Sequence, residues 1–420
     1  MIDGIMPPRR EQKDPTNKPP EESFFSPPDF IAANSQDAPE QPGILPKVHH
    51  NFEPNPPKKK KSKIPFWDNL GRKQKLLVIG SICLIFISSV GAAALLLRRD
   101  PPQTPSVAVE EPAPEPAPPE PEPTTAQSRL TGLEVAKELI SLPVTGVMIE
   151  NSPDARPQSG LKDAGIVFEA IAEGGITRFL ALYQDGQPDY VGPVRSVRPY
   201  YLDWLQGFDA SIAHVGGSAE ALQMIRNLGI KDLDQFSNTG PYQRVSGRYA
   251  PHNMYTSLPK LVETGKSKGF TNSDFLSLVR KPQPELNPTP TARTIDLAIS
   301  SYLYNVHYDY DPATNTYLRN EGGKPHIDER SGSQLNPKVV IAIVVPYSIH
   351  PNGVNSQYQT IGSGKAYIFQ DGTAIEGIWE KTGAKTQIKF GDNLGGSVAL
   401  SPGQTWITAV KAANNVSYGP

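Results

Sequence analysis

Residues 190–218, YVGPVRSVRPYYLDWLQGFDASIAHVGGS, predict a helix, a strand, a glycine turn and a second helix in that order. Pro199 suits the first turn of a helix, because its ring holds φ near the helical value and its missing N–H has no partner there anyway. Gly207 is predicted to end this helix in a left-handed conformation. Residues 208–215 then form a strand, with His214 near its exit.

The turn after this strand carries the first functional hypothesis. Gly216 and Gly217 turn the chain, and Ser218 is predicted to be the N-cap of the second helix. Free N–H groups and the helix dipole make such an N-terminus a receptor for anions. Arg195 and Arg198 precede the unit and can offer bidentate guanidinium contacts to the same ligand. The stretch predicts an anion site, and the alternative is a tight turn with a cap and no ligand.

The N-terminal part of the chain lacks the pattern of a folded domain. The chain has 420 residues, of which 44 are proline, and its formal net charge is -2. Residues 1–75 are rich in Pro, Glu, Asn and Lys without apolar periodicity, and we predict a disordered cytoplasmic tail. The near-neutral charge gives no reason to expect a nucleic-acid partner.

Residues 76–97, LLVIGSICLIFISSVGAAALLL, contain no charged side chain and predict a single transmembrane helix. Lysine and arginine are concentrated on its N-terminal side, whereas only Arg98 and Arg99 follow it directly. The positive-inside bias therefore places the tail in the cytoplasm and the C-terminal domains outside the cell. The chain is predicted to be a single-pass membrane protein of the cell envelope.

Residues 98–129 are rich in Pro, Glu and Ala and predict an extended, proline-rich linker. The single cysteine, Cys83, lies in the predicted span, so the external region has neither disulfides nor a cysteine nucleophile. Ile82 precedes Cys83, which argues against lipid attachment at this position. No cofactor or metal is expected, because His214 and His252 have no third ligand nearby in the sequence.

The predicted fold class is α+β, with two external domains. Residues 130–284 predict a mixed α/β domain, and residues 285–420 predict a smaller, mainly antiparallel β domain. Asp371 and Gly372 between two alternating runs indicate a hairpin in the second domain. The strands predicted in that domain are residues 294–299, 303–310, 339–345, 366–369, 374–379, 387–390 and 405–410.

A second hairpin is predicted in the first external domain. Residues 165–173 and 176–183 form its strands, and a Gly-Gly pair closes it. A two-residue turn at this place puts Arg178 opposite Ile171.

Glu169 and Glu173 share one face of this predicted hairpin, within reach of Arg178. Two carboxylates and an arginine on one face are the groups that an acid–base site in a glycan hydrolase requires. The same pattern is typical of the solvated side of a half-buried sheet. Both interpretations remain open at the level of the sequence.

Several blocks of the external region resemble the YerB-like lipoprotein family. The first domain contributes GPVRSVRPYYLDW, AHVGGS, FEAIAEGGITRFLALY and APHNMYTS. The second contributes YDPATNTYLR, GSGKAYIFQDG, GIWEKT and SPGQTWI. The resemblance covers roughly residues 143–410. It implies an envelope-anchored pair of domains without an assigned activity, so it transfers no catalytic residue. Those relatives are held by a lipidated cysteine, whereas a helix is predicted here.

The leading hypothesis is a non-catalytic module that binds an anionic or carboxylate-bearing ligand, such as a wall glycopeptide or an anionic polymer. One alternative is a cell-wall glycan hydrolase that uses Glu169 and Glu173 as its catalytic pair. The other alternative is a scaffold for protein partners, which predicts a broad apolar surface patch. The candidate ligand-binding residues are Arg178, Arg195, Arg198, His214, Gly216, Gly217, Ser218 and His252.

Overall fold

The structure is a computed structural model that describes residue 71, residues 123–283 and residues 289–420. The rest of the predicted tail, the predicted span at residues 76–97 and most of the linker lie outside these residues. Within the described ranges, no helix has the length and apolar character needed to cross a membrane. The transmembrane helix therefore stays a prediction.

The described residues fold as α+β, as predicted, with mostly β structure and few helices. The strands are β1 (Thr125–Gln127), β2 (Glu134–Ala136), β3 (Thr145–Glu150), β4 (Ile166–Glu173), β5 (Ile176–Tyr183), β6 (Ser211–Ala213), β7 (Tyr242–Arg244), β8 (Met254–Thr256), β9 (Thr294–Leu297), β10 (Val306–Asp311), β11 (Thr316–Glu321), β12 (Lys324–Pro325), β13 (Val339–Val344), β14 (Tyr347–Ile349), β15 (Ser356–Tyr358), β16 (Gly362–Gln370), β17 (Thr373–Lys381), β18 (Lys389–Asp392), β19 (Thr405–Val410) and β20 (Val416–Gly419).

The helices are α1 (Lys137–Ile140), α2 (Pro199–Gln206), α3 (Ala219–Leu228) and α4 (Leu258–Ser267), with 3₁₀ turns at Pro153–Ala155, Leu161–Asp163, Tyr302–Tyr304 and Ala413–Asn415. Helix α2 begins at Pro199 as predicted, but Gly207 after it is right-handed, with φ of -63°. Ser218 caps α3, since its hydroxyl accepts a hydrogen bond from Ala221 N. Ser257 precedes α4, but its side chain makes no cap hydrogen bond.

A nine-stranded sheet carries the fold, in the strand order β18-β17-β16-β13-β19-β4-β5-β3-β6. Strands β13, β19 and β4 run parallel at its centre, and β3 and β6 form a second parallel pair. Strand β4 comes from the N-terminal half of the external region and β19 from the C-terminal half. The two halves therefore join within one sheet, and the division at residue 284 stays a prediction about folding units.

A second sheet of five strands, β12-β11-β10-β9-β20, is antiparallel throughout. The pairs β1-β2, β7-β8 and β14-β15 form separate two-stranded ribbons. Strand β11 was not predicted from the sequence, because its letters TYLRNE combine polar and charged residues with few apolar ones. This missed strand carries Arg319 and Glu321, which are buried.

The β4–β5 hairpin forms as predicted, but its predicted register is wrong beyond the turn. Glu173 pairs with Ile176 next to the Gly-Gly turn, and the register then shifts between Ile171 and Glu173. The extra residue at this β-bulge, Ala172, places Arg178 opposite Ala170 and not opposite Ile171.

The bulge also changes which face of the sheet each side chain joins. Phe168, Ala170 and Ile171 belong to one apolar core, whereas Val167 belongs to the other. Alternate residues of a strand face opposite sides, so Glu169 lies on the same face as Val167. The bulge reverses this alternation, so Glu173 lies on the opposite face, together with Ile171. The prediction that the two glutamates share one face is therefore wrong.

Helices cover both faces of the nine-stranded sheet. Helices α2 and α3 bury residues in the core that contains Phe168, and the Phe168 and Trp204 rings stack with centroids 5.2 Å apart. Helix α4 contributes Leu258 and Leu261 to the core on the opposite face. This packing positions the N-terminal ends of α2 and α3, where Arg198 and Ser218 are the N-cap residues.

Candidate functional site

Two of the candidate arginines converge on one carboxylate at the turn of the β4–β5 hairpin. Arg198 donates to Glu173 Oε2 over 2.7 Å, and Arg178 donates to Glu173 Oε1. Glu173 thus holds two guanidinium groups side by side, and its own side chain is 24% exposed. Burial, together with the nearby positive charge of Arg178, lowers the pKa of Arg198, and Glu173 partly opposes this effect. Arg198 Nε is buried without a hydrogen-bond partner among the described residues.

A cavity of about 530 Å³ opens beside this cluster. The first residues of α2, including Arg198, line one wall, and Ser218 and Glu220 at the start of α3 line another. The β14–β15 ribbon closes a third side with residues that include Tyr347, His350, Asn355 and Tyr358. The structure therefore brings Arg198 and Ser218, which the sequence analysis predicted to act together, to the same concavity.

The cavity wall also carries acidic side chains. Asp203 accepts a hydrogen bond from Thr360 over 2.5 Å, and burial raises the pKa of Asp203 despite this bond. Glu220 lies in the first turn of α3 and lines the same space. One guanidinium group and two carboxyl groups therefore face the cavity, so its polar chemistry is mixed and not purely cationic.

The glycine turn is held by internal partners. Gly216, with φ of +61°, donates its N–H to Asp234 Oδ1 over 3.0 Å. Val197 Cγ1 lies 2.8 Å from where a Cβ of residue 217 would stand, so Gly217 has no room for a side chain. Ser218 N–H donates to Val197 O over 3.3 Å. The amides of Gly216 and Ser218 are thus engaged in the fold and are not free donors in this turn.

His214 fixes this turn and does not line the cavity. Its imidazole is fully buried, with Nδ1 2.8 Å from Gly216 O and Nε2 3.0 Å from Asp232 Oδ1. The hydrogen bond from His214 lowers the pKa of Asp232, although burial of that carboxyl acts in the opposite direction. These contacts give His214 a structural role in this conformation.

Arg195 and His252 lie in a separate cluster around Glu150. Glu150 Oε1 is 2.9 Å from His252 Nδ1 and accepts a hydrogen bond from Ser152 Oγ at 2.9 Å. Arg195 Nε is 3.2 Å from Glu150 Oε2. Neither Arg195 nor His252 lines the cavity at Arg198. The predicted convergence therefore holds for Arg198 and Ser218 but not for Arg195, His214 or His252.

Glu169 belongs to a buried ionic network on the other face of the sheet. Arg319 Nη2 lies 3.0 Å from Glu169 Oε2, and both side chains have no exposed surface. Trp406 Nε1 donates to Glu169 Oε2 over 3.0 Å, and the Arg319 guanidinium lies 4.3 Å from the Trp406 ring centroid. With its oxygens engaged and its face opposite to that of Glu173, Glu169 shares no groove with Glu173 as a hydrolase pair.

The network continues from Arg319 to a histidine whose tautomer follows from its partners. Arg319 Nε donates to His326 Nδ1 over 2.9 Å, so Nδ1 is the acceptor nitrogen. His326 Nε2 then carries the proton and donates to Gln158 Oε1 over 2.8 Å. Burial lowers the pKa of His326, and the positive charges of Arg319 and Arg156 lower it further. His326 is therefore neutral.

Arg319 and Glu321 were missed because charged side chains are usually assigned to the solvated face of a strand. The alternation along β11 did contain a signal. Tyr317, Arg319 and Glu321 occupy alternate positions, and all three are buried. An aromatic residue at the start of such a series indicates the inward face, and the two charged residues follow it.

Comparisons with known proteins were consistent with the resemblance in the sequence. Two family models match, described as the N-terminal and C-terminal domains of a protein of unknown function (DUF3048), over residues 130–271 and 295–407. A Bacillus subtilis (strain 168) protein described as "Putative lipoprotein YerB" is 30% identical over 291 residues, which are 67% of this chain and 85% of the relative. The crystal structure of YerB protein from Bacillus subtilis matches with a TM-score of 0.64 and 28% identity, covering 70% of this chain and 100% of that chain.

Proposed function

Since the chain belongs to the DUF3048 family, whose domains are described as having unknown function, we propose from its own geometry that it binds a carboxylate-bearing ligand beside Arg198. The observation that carries this proposal is the cavity at the N-termini of α2 and α3, which Arg198 and Ser218 both line. A buried guanidinium beside an open cavity is well suited to a carboxylate, because charge-assisted hydrogen bonds are stronger than neutral ones.

The acidic residues of the cavity narrow the ligand class. A polyanion would meet the carboxyl groups of Asp203 and Glu220 as well as Arg198, and like charges repel. A glycopeptide offers one carboxylate to Arg198 and amide or hydroxyl donors to the acidic side chains. We therefore favour a wall glycopeptide over an anionic polymer among the ligands that the sequence suggested.

The proposed location is the outer side of the cell membrane. The relative is described as a lipoprotein, and residues 76–97 of this chain predict a membrane span with the folded region outside. A lipidated cysteine and a helix are different anchors that give the same placement. The two matches at residues 130–271 and 295–407 support an N-terminal α/β domain and a C-terminal β domain as the proposed external pair.

Replacement of Arg198 with glutamine should weaken glycopeptide binding at least tenfold. Glutamine keeps a hydrogen-bonding group but removes the charge, and a hydrogen bond to a charged group is worth about 1.5–3 kcal/mol. Binding of N-acetylmuramoyl dipeptide to the full-length protein, measured by isothermal titration calorimetry, checks this prediction. The matched control is Arg195→Gln, because Arg195 lies at Glu150 and not at the cavity.

The control should change the dissociation constant less than twofold. Equal losses in the two variants would show that the cavity does not select the ligand. Retained binding by Arg198→Gln would remove Arg198 from the site. Poly-γ-glutamate tests the alternative of a polyanion. If it bound more tightly than the dipeptide and with the same dependence on Arg198, the choice of a glycopeptide would be overturned.

A further inference from the structure

A second cavity, of about 380 Å³, opens over the buried ionic network. Its polar lining residues are Arg156, Glu321, Lys324 and His326, and its apolar ones are Pro157, Pro325 and Ile327. None of these residues lines the cavity at Arg198. The two cavities therefore have separate linings and separate chemistry.

Glu321 lines this second cavity and has one carboxylate oxygen without a donor among the described residues. Its side chain is 2% exposed, and Oε1 accepts a hydrogen bond from Asn151 Nδ2 over 2.6 Å. Oε2 is buried and has no hydrogen-bond partner in the part of the chain that the structure describes. A buried acceptor without a donor costs about 1–3 kcal/mol, so a ligand that supplies a donor gains this energy.

The nitrogens near Glu321 do not fill this role, since the closest charged one, Arg156 Nη2, is paired with Oε1 over 3.3 Å. His326 Nδ1 lies 3.5 Å from Glu321 Oε2, but it accepts the hydrogen bond of Arg319 Nε and carries no proton of its own. Arg319 Nη2 is 3.7 Å from Glu321 Oε1, beyond hydrogen-bond distance. No donor in the described part of the chain therefore reaches Glu321 Oε2.

The other cavity residues select the kind of donor. Arg156 and Lys324 are positively charged, which disfavours a cationic ligand beside them. A simple anion has no proton to give to Glu321. A hydroxyl group donates to a carboxylate and also accepts from a guanidinium or an ammonium group. The proline rings and Ile327 offer apolar surface for the C–H face of a ring.

We infer that this cavity binds a saccharide, with Glu321 Oε2 accepting a hydrogen bond from a sugar hydroxyl and with Arg156 and Lys324 donating to neighbouring oxygens. A sugar ring combines several hydroxyl groups with an apolar face, which is the combination that the lining presents. The inference is independent of the proposed function, because it depends on residues at the other cavity. It adds a glycan-binding site to the proposed binding of a carboxylate.

The test is isothermal titration calorimetry of the full-length protein with N-acetylglucosamine tetramer and, separately, with cellotetraose. The wild type should bind at least one of the two, and Glu321→Gln should bind it at least tenfold more weakly. The matched control is Glu376→Gln, since Glu376 is 41% exposed and pairs with Lys365 at the surface. The control should bind within twofold of the wild type.

A second variant distinguishes a loss of ligand binding from misfolding of Glu321→Gln. Lys324 is exposed, so Lys324→Gln should fold normally and weaken binding of the same tetramer several-fold. If neither tetramer binds the wild type, or if both variants bind like the wild type, the inference is overturned. Binding of putrescine with the same dependence on Glu321 would also overturn it, because a diamine requires a different kind of site.

The Arg198→Gln variant distinguishes this site from the first one. If this variant loses binding of the muramoyl dipeptide but still binds the tetramer, the two sites are independent.

Discussion

Replacement of Arg319 with methionine is expected to lower the free energy of unfolding by about 3–5 kcal/mol, because breaking a buried ion pair leaves an uncompensated charge. Arg319 has no exposed side-chain surface and lies 3.0 Å from Glu169 Oε2. Its guanidinium also donates to Tyr308 Oη over 2.7 Å and to His326 Nδ1 over 2.9 Å. Methionine fills much of the same volume, so the loss reports the missing charge and donors more than a cavity.

Urea unfolding of the full-length protein, followed by tryptophan fluorescence, measures this difference. The control is Lys365→Met, which breaks the surface pair with Glu376, whose side chains are 42% and 41% exposed. Such exposed pairs contribute about 0–1 kcal/mol, so the control should remain close to the wild type. The double variant Arg319→Met with Glu169→Gln removes both charges and should recover part of the loss. A loss below about 1 kcal/mol in Arg319→Met would contradict a charged, structural network at this place.

Local patterns in the sequence predicted much of the framework. Pro199 starts α2, Ser218 caps α3, and Asp371 and Gly372 turn between β16 and β17 with φ of 54° and 70°. These features depend on the conformations of proline, glycine and capping residues, which are properties of short segments. Strand β19 was also predicted at its observed limits.

Features that depend on distant parts of the chain were not predictable in the same way. The shift at Ala172 adds one residue to β4, and the Gly-Gly pair that follows indicates only the hairpin turn, so Glu169 and Glu173 were assigned to one face. The parallel pairing of β19 with β4 joins Thr405 to Ile166 across the whole folded region. No local pattern records such a pairing, because each strand alone is compatible with several neighbours.

The same distinction explains the candidate site. Arg198 and Ser218 line one cavity because a short strand and a turn connect their helices. Arg195 is only three residues before Arg198, yet it faces Glu150, since an extended chain reverses its side chains at every residue. Arg319 and Glu321 join Glu169 only through tertiary packing of the five-stranded sheet on the nine-stranded one. Their charge alone suggested an exposed strand.

The stability of the wild type relative to Glu321→Gln is expected to fall between about pH 4.5 and pH 7. Burial raises the pKa of Glu321 to about 7, and the positive charges of Arg319 and Arg156 oppose this only in part. The folded state thus binds the Glu321 proton more tightly than the unfolded state, so its contribution is fully present below pH 4.5 and is lost as the pH rises through 7. Glutamine does not titrate and serves as the reference.

The difference between the two proteins isolates Glu321 from the other titrating groups, which are common to both. A shift from 4.5 to about 7 corresponds to a change on the order of 3 kcal/mol. Urea unfolding of both proteins at pH 4, 5.5 and 8 measures it. The charged groups that face Glu321 are Arg319, Arg156 and Glu169, and neutral His326 lies beside it. If Arg319 and Arg156 outweighed burial, the wild type would gain stability over Glu321→Gln as the pH rises, and that result would show that Glu321 is held as a carboxylate throughout.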